Sequence, residues 1–110
     1  MNRFKAVNCG LSAHHIAAIQ HVFKMYPKIT KVILYGSRAK GNYRLGSDID
    51  LTLQGENLEY ADLVVIDNAL DDLLLPYTID LSIYHLIENP HLIEHIKRIG
   101  KVFYSKEDGK

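Results

Sequence analysis

Near the start of the chain, apolar residues recur at helical spacing: Ile16, Ile19, Val22 and Phe23 share one face of a 3.6-residue period. Ser12 stands where an N-cap belongs and Pro27 stops the run, so a helix is predicted from Ser12 to about Met25, after a lead-in over residues 1–10. Lys31–Tyr35 is β-branched and aromatic, the composition of a buried strand, and Gly36 ends it. A second strand is predicted from Asp48 to Gln54. Leu58–Leu75 scatters acids among Leu, Val and Ile and reads as one helix stopped by Pro76. From Thr78 to Tyr84 the alternation is strict. Ile79, Leu81 and Ile83 face one way and Asp80, Ser82 and Tyr84 the other, which is a third strand. Pro90 opens a last helix that runs to Ile99 and stops at Gly100. Lys101–Tyr104 reads as a short edge strand, followed by a polar tail over Ser105–Lys110.

This order predicts a small α/β (α+β) domain: a mixed sheet with helices packed on one face. At 110 residues the chain is expected to be a single domain, with a core over about residues 12–104. Apolar residues at 47% and charged residues at 24% are ordinary for a globular protein. Because the formal net charge is zero, nothing global favours long nucleic acid, and no sequence-specific nucleic-acid partner is expected. The single cysteine, Cys9, excludes an intramolecular disulfide and fits a reducing compartment. Neither a signal peptide nor a membrane-spanning run is evident, so a cytoplasmic location is expected.

Candidate chemistry concentrates between Gly36 and Leu51. A Gly36-Ser37 turn leads into a basic, glycine-punctuated loop carrying Arg38, Lys40 and Arg44, and the loop ends on Asp48-Ile49-Asp50. On a strand, Asp48 and Asp50 share a face. Like charges so close resist joint ionisation, and a divalent cation removes that cost. Mg²⁺ is commonly held by one or two carboxylates together with substrate phosphates. Asp80, a lone acid in an apolar strand, joins the pair if its strand neighbours the second. Three carboxylates around one place suit two Mg²⁺ ions in phosphoryl chemistry.

Gly36-Ser37, ten residues, Asp48-Ile49-Asp50 and a later strand Asp80 resemble the signature of the DNA polymerase beta-like nucleotidyltransferase superfamily. The small size is similar to its minimal nucleotidyltransferase (MNT) branch, the antitoxin half of HEPN/MNT toxin–antitoxin pairs. The resemblance implies that Asp48, Asp50 and Asp80 are the catalytic and metal-binding residues, with two Mg²⁺ as cofactor and ATP as nucleotide substrate. It also implies that Gly36 and Ser37 cradle the triphosphate, with Arg38 and Lys40 adding positive charge, and that Ser47 orients the aspartate pair.

The implied activity is transfer of AMP from ATP to a tyrosine hydroxyl of a partner HEPN ribonuclease toxin. The chain then acts as antitoxin and oligomerises through the toxin complex, with no membrane partner. Two other readings stand beside this one. The chain could be a non-catalytic antitoxin that neutralises by occlusion, or a stand-alone nucleotidyltransferase acting on a small molecule or RNA end.

Three further patterns carry less. Gly36–Gly41 begins like a P-loop, but Asn42-Tyr43 stands where Lys-Ser/Thr is required. His91-Leu92-Ile93-Glu94-His95 matches an inverted zinc-protease motif without a segment to supply a third ligand, and reads as a surface helix with two histidines on one face. His14, His15 and His21 share a helix without metal-site spacing, and read as surface or interface residues.

Overall fold

The sheet is built outward from β1 (Lys31–Tyr35), an interior strand whose Val32 and Leu34 are fully buried. A computed structural model describes residues 9–107 of the chain. β2 (Ile49–Gln54) runs antiparallel to β1 on one side and β4 (Lys101–Ser105) antiparallel on the other. β3 (Ile79–Ile83) lies parallel to β2, giving the order β3-β2-β1-β4 and a mixed sheet.

Alternation along each strand separates two faces. Val32, Leu34, Ile49, Leu51, Leu53 and Ile83 point to the hydrophobic core, while Ile33, Tyr35, Asp50, Thr52, Asp80 and Ser82 point the other way. The β1–β4 pairing carries a bulge between Val32 and Ile33, and Phe103 falls in it. Phe103 is fully buried and stands edge-on to Phe23, with ring centroids 6.4 Å apart.

α1 (Ala13–Lys24) starts where its cap predicts: Ser12 Oγ accepts from the His15 N–H at 3.1 Å. Its four periodic apolar residues are all buried in the core. α3 (Tyr60–Asp71) supplies Ile66 and Leu70 to the same cluster. It is shorter than the Leu58–Leu75 helix predicted from sequence, for local reasons at both ends.

A reciprocal cap between Glu59 and Asp62, with the Glu59 N–H donating to Asp62 Oδ2 at 2.8 Å, fixes the start. At the other end Pro76 disfavours helical backbone at Leu75. The chain turns out through Leu74 at φ 54°, so Leu73 and Leu75 pack on the core while Leu74 is exposed.

α2 (Gly36–Lys40) was not predicted. Five residues directly after β1 close one helical turn, which Gly41 ends at φ 88° by returning its N–H to Ser37 O at 3.0 Å. α4 (Pro90–Ile99) is capped by Asn89, whose side chain accepts from the His91 N–H at 2.9 Å. It packs against β1 and α2, and its C-terminal Gly100 abuts Ile33, a position of opposite parity to the core residues of β1. No helix among the described residues is long and apolar enough to cross a membrane.

Candidate active site

The parallel register of β2 and β3 brings the sequence-distant acids together. Asp50 lies directly opposite Asp80, and on its other side opposite Tyr35, so the three form one row across the sheet. Asp48 is exposed one residue before β2 and close enough to act on Asp50 through its charge. Burial, then Asp80, then Asp48 push the Asp50 carboxyl above its ordinary value. Among the described residues no Lys, Arg or His forms an ion pair with any of the three. The acidic rim continues onto α3, where burial and the charges of Asp71 and Asp80 raise Asp67.

Behind the acidic row comes a second one, Ile33–Thr52–Ser82, on the same face. The hydroxyls of Thr52 and Ser82 are buried there without hydrogen-bond partners among the described residues. Burial raises the Tyr35 phenol, and Asp80 and Asp50 raise it further. The nearby Ser82 hydroxyl opposes this shift, though it lies outside hydrogen-bonding geometry.

Gly36 is explained by Asp50. Its backbone sits at φ 76°, and a Cβ there would run into Asp50 Oδ2. The turn and the carboxylate therefore occupy space that no other residue type leaves open. Ser37 is half-buried as the second residue of α2, and Lys40 is exposed as its last. Both lie on the segment that Gly36 presses against Asp50.

Arg38 is placed differently from the sequence expectation. It was expected beside the phosphates, yet it is only 2% exposed. Its Nε and Nη2 both donate to Ser47 O, at 3.1 and 2.8 Å, and its Nη1 donates to Cys9 O at 2.8 Å. The guanidinium lies between the rings of Tyr43 and Tyr77, 5.4 and 5.3 Å from their centroids. Tyr77 in turn meets His15, with Tyr77 Oη 3.2 Å from His15 Nδ1.

Arg38 thus ties the glycine-punctuated loop to α1 and to the approach of β3. Its fork grips the carbonyl immediately before Asp48. Ser47 completes the anchor, because its Oγ accepts from the Arg44 N–H at 2.8 Å.

A donor set of carboxylates alone suits a hard cation such as Mg²⁺ rather than a soft one. The upward push on Asp50, to which none of the described Lys, Arg or His is paired, is what a bound cation would reverse. Among the described residues no three His, Cys, Asp or Glu side chains are close enough to hold a metal ion unaided. Asp48, Asp50 and Asp80 therefore do not form the converged three-carboxylate cluster expected from the sequence, and a hard cation held there would need further oxygen ligands such as substrate phosphates.

The histidines divide. His14, His21 and His91 are exposed, as expected. His95 is not a bystander: it is half-buried, its Nε2 accepts from the Gly36 N–H at 3.3 Å, and its ring stands edge-on to Tyr35. Nothing in its spacing signals this, because the contact spans fifty-nine positions and depends on how α4 docks.

Comparison with known proteins bears on the fold and the family. No curated protein sequence matches the chain. Among solved structures, a toxin–antitoxin with AMP-PNP superposes with a TM-score of 0.68 at 20% identity, covering 86% of this chain and 76% of that one. The toxin–antitoxin MntA–HepT gives 0.64 at 17% identity, covering 89% and 76%. A complex of the tri-AMPylated Shewanella oneidensis HEPN toxin with its MNT antitoxin gives 0.58 at 17%, covering 86% and 76%. At these identities the likeness is one of fold. The family model described as polymerase beta, nucleotidyltransferase matches residues 17–109, nearly the whole chain, and the chain belongs to that family.

Proposed function

We propose that this protein is a Mg²⁺-dependent nucleotidyltransferase that moves AMP from ATP onto a tyrosine hydroxyl of a HEPN ribonuclease toxin, and so acts as its antitoxin. The observation that carries this reading is the row Tyr35–Asp50–Asp80 set against the Gly36 turn, with Asp48 beside it. Support for the nucleotide comes from the structural neighbour solved with AMP-PNP, and support for the acceptor from the neighbour whose HEPN toxin is tri-AMPylated.

Asp48, Asp50 and Asp80 would hold Mg²⁺, which when bound balances charge on the entering and leaving oxygens. Ser37 and Lys40 face the triphosphate, and Gly36 gives the Asp50 carboxylate its room. Asp80, exposed at the edge strand, takes the proton of the incoming hydroxyl. The acceptor oxygen bonds to the α-phosphorus as the bond to pyrophosphate breaks.

The test incubates the chain with Mg²⁺, α-³²P-labelled ATP and the product of the adjacent gene, then reads label on that product by gel. Label that vanishes with Asp48→Asn/Asp50→Asn is the expected result. A stable, unlabelled complex would overturn the enzymatic reading in favour of occlusion.

A further inference from the structure

We infer that His95 is a positioning residue of this site, the group through which α4 holds the Gly36 turn against Asp50; its kinetic consequences rest on the nucleotidyltransferase reading above. Four observations converge on it. The Gly36 N–H donates to His95 Nε2 at 3.3 Å. The His95 ring meets the Tyr35 ring edge-on, with centroids 6.2 Å apart and planes at 82°. Tyr35 pairs with Asp50 in register, and Gly36 leaves no room for a Cβ because Asp50 Oδ2 fills that space. His95 therefore touches two of the residues that border Asp50, Tyr35 and Gly36.

α4 cannot drift away from this position. The residue after His95, Ile96, is buried, and Gly100 closes on β1 so tightly that a Cβ would strike Ile96 O and Ile33 Cγ2. The histidine is thus delivered from a fixed helix to a turn that, being glycine, has little intrinsic preference of its own. For Nε2 to accept, the ring must be neutral with its proton on Nδ1. The Gly36 N–H is then committed to the scaffold, and triphosphate recognition falls to Ser37 and Lys40.

The test compares His95→Phe, which keeps a ring against Tyr35 but has no acceptor, with His95→Gln, whose amide oxygen can reach the Gly36 N–H. Two readouts are taken on the full chain. The first is hydrogen exchange of the Gly36 amide by NMR without nucleotide. Losing one hydrogen bond of about 1 kcal/mol predicts roughly fivefold faster exchange in His95→Phe, with protection restored in His95→Gln.

The second readout is steady-state transfer with the partner present. A displaced carboxylate predicts a kcat about ten- to a hundredfold lower in His95→Phe, the KM for ATP within about twofold, and recovery in His95→Gln. A raised KM with unchanged kcat would mean that His95 touches nucleotide directly, and overturns the inference. Equal behaviour of the two variants, or unaltered Gly36 exchange, overturns it as well. If the unmodified chain transfers nothing, the nucleotidyltransferase reading fails while the exchange measurement still decides the His95 contact.

Discussion

Replacing Gly36 by alanine tests the central contact of the site, because two separable costs arise at once. The first is conformational. At φ 76° a Cβ costs about 1–2 kcal/mol, whatever surrounds it. The second is steric: the new methyl overlaps Asp50 Oδ2, and forcing extra volume into a filled site costs about 1–3 kcal/mol. Together they predict a loss of about 2–5 kcal/mol.

For 110 residues, an unfolding entropy of about 2.1 cal/mol/K per residue converts each kcal/mol into about 4 °C of Tm. Gly36→Ala should therefore melt about 9–20 °C lower than the parent. In an Asp50→Ala background only the conformational part survives, because the remaining Asp50 Cβ lies at ordinary contact distance from the added methyl. The same substitution should then cost about 4–9 °C. Thermal unfolding of the four proteins measures this coupling directly. Equal costs in both backgrounds would refute the contact between turn and carboxylate. Where Gly36→Ala still folds, transfer should fall on the order of 10²-fold, since the carboxylate must retreat by roughly 1 Å.

Asp50→Asn should raise Tm at neutral pH. The folded carboxyl titrates above its unfolded value of about 3.9, so the folded state binds more protons between those two values and stability falls as pH rises through them. The variant's advantage should therefore vanish below about pH 4, and melting curves across pH would show it. Mg²⁺ should raise the Tm of the unmodified chain but not of Asp48→Asn/Asp50→Asn, which must still fold; a magnesium titration of both melting curves decides this. Arg38→Met removes the hydrogen bonds to Ser47 O and Cys9 O and should cost about 3 kcal/mol. Arg38→Lys should rescue little, because a point charge cannot reproduce the fork; denaturant unfolding measures both variants.

Much of this fold was legible because local rules and burial agree. Ser12, Pro27, Pro90 and Gly100 punctuate the helices as their backbone chemistry requires, and the alternation of β3 placed Asp80 on the polar face. Where the sequence misled, a tertiary or terminal effect outweighed periodicity. The apolar run to Leu75 looks helical, yet the chain leaves the helix after Asp71 so that Leu73 and Leu75 can reach the core. The basic loop reads as a phosphate-binding segment, but burying Arg38 between two tyrosines turns one of its charges into a brace.

The sequence by itself determined the chemical inventory: a glycine-serine turn after a buried strand, an acid pair at the start of a second strand (of which only Asp50 lies within it) and a third acid at the right parity on another. These arise from residue type and the two-residue period, which are local properties. Only the tertiary structure decided which strands are neighbours, and hence that Asp50 stands between Tyr35 and Asp80. It alone set Gly36 against Asp50 and brought His95 to the turn. Such contacts join residues tens of positions apart, and they exist because helix docking and sheet register offset their ordering cost collectively, through a core that no single segment can form alone.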